Sequence, residues 1–174
     1  MTDSHSQAEP SGVAECYDRW SSQYDDDRNP TRDLDALVLR RSSLRVRGRT
    51  VLELGAGTGK LTAQLLAQGH DVVAVDPLVD MLAQMNAVAP DARRVVGTAE
   101  AVPVATSTVT TVIAAQAFHW FDRTLALPEI ARVLRPGGTL GLVWNAGDYS
   151  VPWVRRVLGL IGLGPDTIRA DPLD

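Results

Sequence analysis

The sequence predicts an α/β protein with a doubly wound, mostly parallel sheet, and three observations predict it. From residue 50 onward, short apolar runs alternate with runs of helical period. The first apolar run ends in Gly55-Ala56-Gly57-Thr58-Gly59, a turn that opens onto a helical segment. Each later helical run stops at glycine or proline and gives way to another strand-like run.

Composition agrees with one globular domain. The 174 residues are enough to bury a sizeable core, and 45% hydrophobic with 22% charged residues is ordinary for a folded chain. A wholly disordered chain, a collagen-like repeat and a disulfide scaffold are excluded. Cys16 has no second cysteine to pair with, which fits a reducing compartment. A net charge of -4 speaks against a general nucleic-acid surface. The start, MTDSHSQAEPSG, lacks a basic segment followed by an apolar run. The apolar stretch Leu158–Leu163 falls far short of the roughly 20 residues that cross a bilayer. The expectation is a cytoplasmic protein with neither membrane nor nucleic acid among its partners.

Residues 1–12 are polar and read as a frayed tail, and residues 13–48 as a helical cap. Within the cap, Tyr17, Trp20 and Tyr24 fall at helix-compatible spacing until Asp25-Asp26-Asp27 and Asn29-Pro30 break the pattern. The acidic run reads as a solvated loop, and no metal site is expected from it. Thr31 can cap a second helix whose apolar face carries Leu34, Leu37, Val38 and Leu44.

The core spans 49–161. Thr50 to Leu54 is a short buried strand, and Leu61 to Gln68 a helix stopped by Gly69. Asp71 to Val75 is a second strand ended by Asp76-Pro77, and Leu78 to Val88 a second helix. Arg94 to Gly97 and Val109 to Ala115 supply the third and fourth strands. Arg123 to Leu134 is helical, with Pro128 tolerable only near the start of a turn. Pro136-Gly137-Gly138 ends that helix before a fifth strand, Thr139 to Trp144. A helix follows from Val151 to Ile161, then an irregular tail, 162–174. Sheets of this kind bind ligands beyond the carboxyl ends of their strands, where strand order reverses.

The glycine loop narrows the ligand. A Walker phosphate loop needs a hydroxyl residue after Gly-Lys, and Leu61 follows Gly59-Lys60. The upstream glycine it needs is Leu54. The dinucleotide fingerprint wants a small residue where Lys60 stands. Glu53, two residues before the loop, repels a pyrophosphate and attracts an ammonium or a sulfonium. Opposite charges about 4 Å apart attract by roughly 4 kcal/mol at an effective dielectric near 20. Its plainer alternative is an ion pair with a neighbouring arginine. Asp76 ends the second strand, where an acid accepts hydrogen bonds from ribose hydroxyls; it can also simply form the turn before Pro77. A nicotinamide cofactor would use the same loop and the same Asp76, although Lys60 and Glu53 count against it.

Five blocks in order then resemble the class I S-adenosylmethionine-dependent methyltransferases of the small-molecule, type-11 group. They are VLELGAGTGKLT (Val51 to Thr62), VVAVDP (Val72 to Pro77), GTAEAVP (Gly97 to Pro103), AAQAFHWFD (Ala114 to Asp122) and EIARVLRPGGTLGLVWN (Glu129 to Asn145). The resemblance implies a Rossmann-like sheet in the order 3-2-1-4-5, with the last two of the usual seven strands missing from this chain. It implies S-adenosylmethionine as cofactor and a small-molecule methyl acceptor. By position, Glu53, Gly55, Ala56 and Gly57 would surround the methionine portion. Asp76 would hold the ribose, with Pro77 and Leu78 beside the adenine. The family's third-strand Gly-Asp-Ala-Glu reads Gly97-Thr98-Ala99-Glu100 here, so adenine recognition would fall to Ala99 and Glu100. Gln116 would lie near the reactive methyl. His119 could act as a base toward a hydroxyl acceptor, while the His-Trp-Phe-Asp turn otherwise packs as a lid. Tyr17, Trp20 and Tyr24 would cover the substrate. An open edge at Thr139 to Trp144 would favour a homodimer. A cofactor-binding but catalytically impaired protein is the alternative that the short C-terminal part suggests.

Overall fold

The computed structural model describes residues 49–144 and 150–160. The cap residues Tyr17, Trp20 and Tyr24 and the tail 162–174 lie outside the described residues. The chain divides into two compact units, Met1–Val143 and Trp144–Asp174. In the first, β1 (Thr50–Leu54), α1 (Lys60–Ala67), β2 (Asp71–Asp76), α2 (Val79–Val88) and β3 (Arg93–Val96) follow in strict alternation. Then come β4 (Val109–Ala115), a 3-10 turn (Phe118–Trp120), α3 (Arg123–Val133) and β5 (Leu134–Val143). The second unit contains α4 (Pro152–Leu160).

The five strands form one sheet in the order β3-β2-β1-β4-β5, every neighbouring pair parallel. This is the expected order. Parallel sheets are covered on both faces, and strand alternation sorts the side chains between them. Val51, Val72 and Ile113 pack with Leu61 and Leu65 of α1. Ala74 packs with Leu82 and Met85 of α2. The alternate residues Leu52, Leu54, Val73, Val75 and Val112 pack with Ala126, Ile130 and Val133 of α3. By the same alternation Glu53 and Asp76 belong to the α1/α2 face, at the carboxyl ends of β1 and β2.

Two local expectations change. β5 begins at Leu134 and includes Pro136-Gly137-Gly138. A two-residue step on β4, Val109 to Thr111, faces a five-residue step on β5, Leu134 to Thr139. The proline and glycines are a bulge between two stretches of one strand, where Gly137 takes φ +77°. A Cβ on Gly138 would sit 2.9 Å from the Arg135 carbonyl oxygen and 3.1 Å from that of Thr110. Pro128 lies inside α3, well past its first turn. It is exposed, while Ala126, Ile130 and Val133 bury the other face and the Asp122 side chain caps the start by accepting Thr124 N–H at 2.9 Å. Packing and cap outweigh the backbone hydrogen bond that proline cannot donate.

Among the described residues no helix is long and apolar enough to cross a membrane, and no cluster of His, Cys, Asp or Glu could hold a metal ion.

Candidate functional site

Strand order reverses between β1 and β4, so the crevice at their carboxyl ends is where a doubly wound sheet takes its ligand. The glycine loop fills one side of it. Gly55 and Ala56 both donate backbone N–H to the Val75 carbonyl, at 2.9 and 3.1 Å, which folds the loop back over β2. Gly55, Gly57 and Gly59 take φ of +71°, +54° and +86°, a region that disfavours side chains. A Cβ on Gly55 would overlap Ala117, and one on Gly59 would overlap Met85 of α2. Among the described residues nothing lies within 4 Å of where a Cβ on Gly57 would sit. Tight packing accounts for the outer two glycines.

Two buried carboxyls flank this loop. Glu53 is 2% exposed, and its Oε2 accepts a 2.5 Å hydrogen bond from the Thr62 hydroxyl of α1. Burial pushes the Glu53 carboxyl up to about 8; the Thr62 hydrogen bond opposes that rise and the Asp76 charge adds to it. Among the described residues the partner that Glu53 bonds is Thr62. Asp76 is 6% exposed, and its two oxygens reach different segments. Oδ2 accepts Gly57 N–H at 2.8 Å and Oδ1 accepts Leu78 N–H at 2.9 Å. Burial raises the Asp76 carboxyl above its ordinary value, against the pull of those two N–H groups. These two bonds form the turn, and each carboxylate oxygen keeps a second lone pair that could accept from a ligand.

The remaining predicted residues surround the crevice unequally. Pro77 is exposed, Leu78 half-buried, and Ala99 buried. Glu100 Oε1 accepts Asp122 N–H at 2.9 Å, so this carboxylate ties the third-strand turn to the start of α3. Thr98, which stands where the family has aspartate, is exposed. Gln116 is the first residue past β4 and donates its N–H to the Val143 carbonyl at 2.9 Å. His119 is exposed, its ring 4.9 Å from that of Trp120, and partial burial holds its imidazole below the usual value. Phe118 is fully buried and meets Phe121 edge-on at 5.7 Å, which anchors this turn to the core. Thr62 and Ala117 carry no role in the sequence reading. The signal for Thr62 lies in combining β1 alternation with the first turn of α1.

A sequence model of the family described as "Methyltransferase domain" matches residues 52–142. The chain belongs to this methyltransferase family. An uncharacterized methyltransferase of Mycobacterium tuberculosis is 52% identical over 121 residues, covering 70% of this chain and 50% of that protein. A malonyl-[acyl-carrier protein] O-methyltransferase of Methylococcus capsulatus is 40% identical over 96 residues, covering 52% of this chain and 35% of its own. The crystal structure of a Pyrococcus horikoshii protein superposes with TM-score 0.59 at 25% identity, over 74% of this chain and 59% of that one. The chain thus spans about half the length of these curated mycobacterial relatives.

The methyltransferase family takes S-adenosylmethionine, and the donor set fits it. Two buried carboxyls beside Gly57 suit a ligand with an ammonium, a sulfonium and ribose hydroxyls better than a phosphate.

Proposed function

We propose that this chain transfers the methyl group of S-adenosylmethionine to a small organic molecule, at oxygen or carbon. The observation that carries the reading is the pair of buried carboxyls, Glu53 and Asp76, set on one face of the sheet around the glycine loop. Glu53, Gly55, Ala56 and Gly57 enclose the methionine portion, Asp76 takes the ribose, and Pro77, Leu78, Ala99 and Glu100 border the adenine. Gln116 lies at the methyl end of the crevice. When bound, the cofactor supplies an electrophilic methyl on a sulfonium, and the acceptor lone pair that takes it leaves a neutral thioether. The chain's own work is to orient both molecules; positioning of this kind is worth roughly 7–11 kcal/mol of barrier. The Methylococcus relative, by its name an O-methyltransferase, favours oxygen as the atom methylated. His119 is the base available to a hydroxyl acceptor, a role worth about 10²–10⁴ in rate, and a carboxylate acceptor makes it dispensable.

Calorimetric titration with S-adenosylhomocysteine tests the cofactor site. Binding in the micromolar range, about -8 kcal/mol, is expected. Asp76→Ala is expected to weaken it about tenfold or more, since a hydrogen bond to a charged acceptor contributes about 1.5–3 kcal/mol. Asp76→Asn, which keeps one acceptor oxygen for Gly57 or Leu78, controls for collapse of the loop. A cooperatively folded wild-type chain that binds nothing overturns the reading.

A further inference from the structure

Gln116 is one of two described non-glycine residues, with Ser107, that take a positive φ. It takes φ +53°, in the left-handed region that only glycine enters freely and asparagine or aspartate tolerate. Its backbone continues the sheet by one bond, to Val143, and then turns so that Ala117 meets Gly55 and the 3-10 turn begins. Glycine would make that turn without strain. Backbone strain of this kind collects at functional sites, where the surroundings hold it in place. The Gln116 side chain adds a second, independent observation. Its Nε2 is buried and has no hydrogen-bond partner among the described residues. Buried amide nitrogens are nearly always paired, so an orphaned donor at the mouth of a ligand crevice marks a missing partner.

We infer that Gln116 is a positioning residue for the methyl acceptor, its carboxamide N–H donating to an acceptor oxygen, carboxylate or carbonyl, beside the atom to be methylated. The inference rests on the cofactor reading given above and adds the acceptor's chemistry to it. A donor is the right group for oxygen. An amine acceptor brings its own N–H donors and would leave Nε2 unpaired still. A carboxylate oxygen accepts the Gln116 N–H and has no proton to lose, so the group's other oxygen is free to take the methyl. The carboxamide is uncharged, so its burial needs no counter-ion.

The test uses the ¹⁵N-labelled full chain saturated with S-adenosylhomocysteine. The Gln116 side-chain amide resonance is identified by its absence in Gln116→Gly. Titration with acetate is expected to shift that resonance downfield, and titration with methylammonium to leave it in place. No shift with acetate through the millimolar range, or a shift with methylammonium, overturns the inference. Thermal melting gives the second readout. Gln116→Gly is expected to melt no lower than wild type, because it relieves the backbone, and a lower melting point would make the side chain structural and equally overturn the inference. Gln116→Asn, which keeps the carboxamide and tolerates the left-handed backbone, is expected to retain part of the acetate response. Failure of S-adenosylhomocysteine itself to bind would instead unseat the cofactor site, which separates the two conclusions.

Discussion

Glu53 concentrates the electrostatics of the site in one group. In the folded chain its carboxyl titrates near 8 because burial removes the water that would solvate its charge. An unfolded glutamate loses its proton near the ordinary value of about 4.3. Between those limits the folded form holds a proton that the unfolded form has lost. This contribution to stability is therefore complete in acid, falls as pH rises through the window, and is gone above about 8. A cationic ligand has the opposite preference, since it favours the ionised carboxylate. Binding of S-adenosylmethionine at neutral pH is expected to release a proton and to tighten as pH approaches 8. Calorimetry in two buffers of different ionisation heat measures that proton directly. Equal heats in both buffers would remove Glu53 from the cofactor's surroundings, and Glu53→Gln is expected to abolish the difference. Thr62 tunes this behaviour, because its hydroxyl favours the charged form.

At the scale of the element, α3 carries a proline that its packing tolerates without needing. Pro128 is exposed and lacks the N–H that would reach back to Thr124. An interior proline costs a helix about 3 kcal/mol against alanine. Substitution also loosens the unfolded chain by roughly 0.4–1 kcal/mol. Pro128→Ala is expected to stabilise the protein by about 1–2 kcal/mol, measured by urea denaturation, with S-adenosylhomocysteine affinity unchanged. β1, β2 and β4 were legible in the sequence because each is a nearly unbroken apolar run bounded by a polar or small residue. The start of β5 was not. Arg135-Pro136-Gly137-Gly138 has the chemistry of a stop, and only the pairing of Leu134 with Val109 makes it a bulge within a strand. Glu53 and Asp76 were legible for the converse reason, as acids that end apolar strands. The Thr62 contact was hidden because it needs the phase of a strand and of a helix at once. Nothing local marks Gln116 as left-handed, since glutamine has no preference for that backbone.

For the whole molecule, the layering of α1 and α2 on one face and α3 on the other leaves β3 and β5 as the edges of the sheet among the described residues. An open edge presents unpaired N–H and C=O groups to another chain. We propose that two copies associate through β5. Sedimentation equilibrium at rising concentration is expected to show a dimer, and Thr139→Lys, at an exposed position of that strand, is expected to shift it toward monomer. A monomer at every concentration would place the expected dimer in error.

The two grips of Asp76 also bear on how fast and how cheaply the crevice fills. One carboxylate pins the glycine loop through Gly57 and the entry to α2 through Leu78 before anything binds. The loop is therefore folded in advance, and an arriving ligand meets a finished surface whose ordering was completed with the fold itself. Such a site loses little chain entropy on association, so affinity differences between ligands are expressed chiefly in how long each one stays.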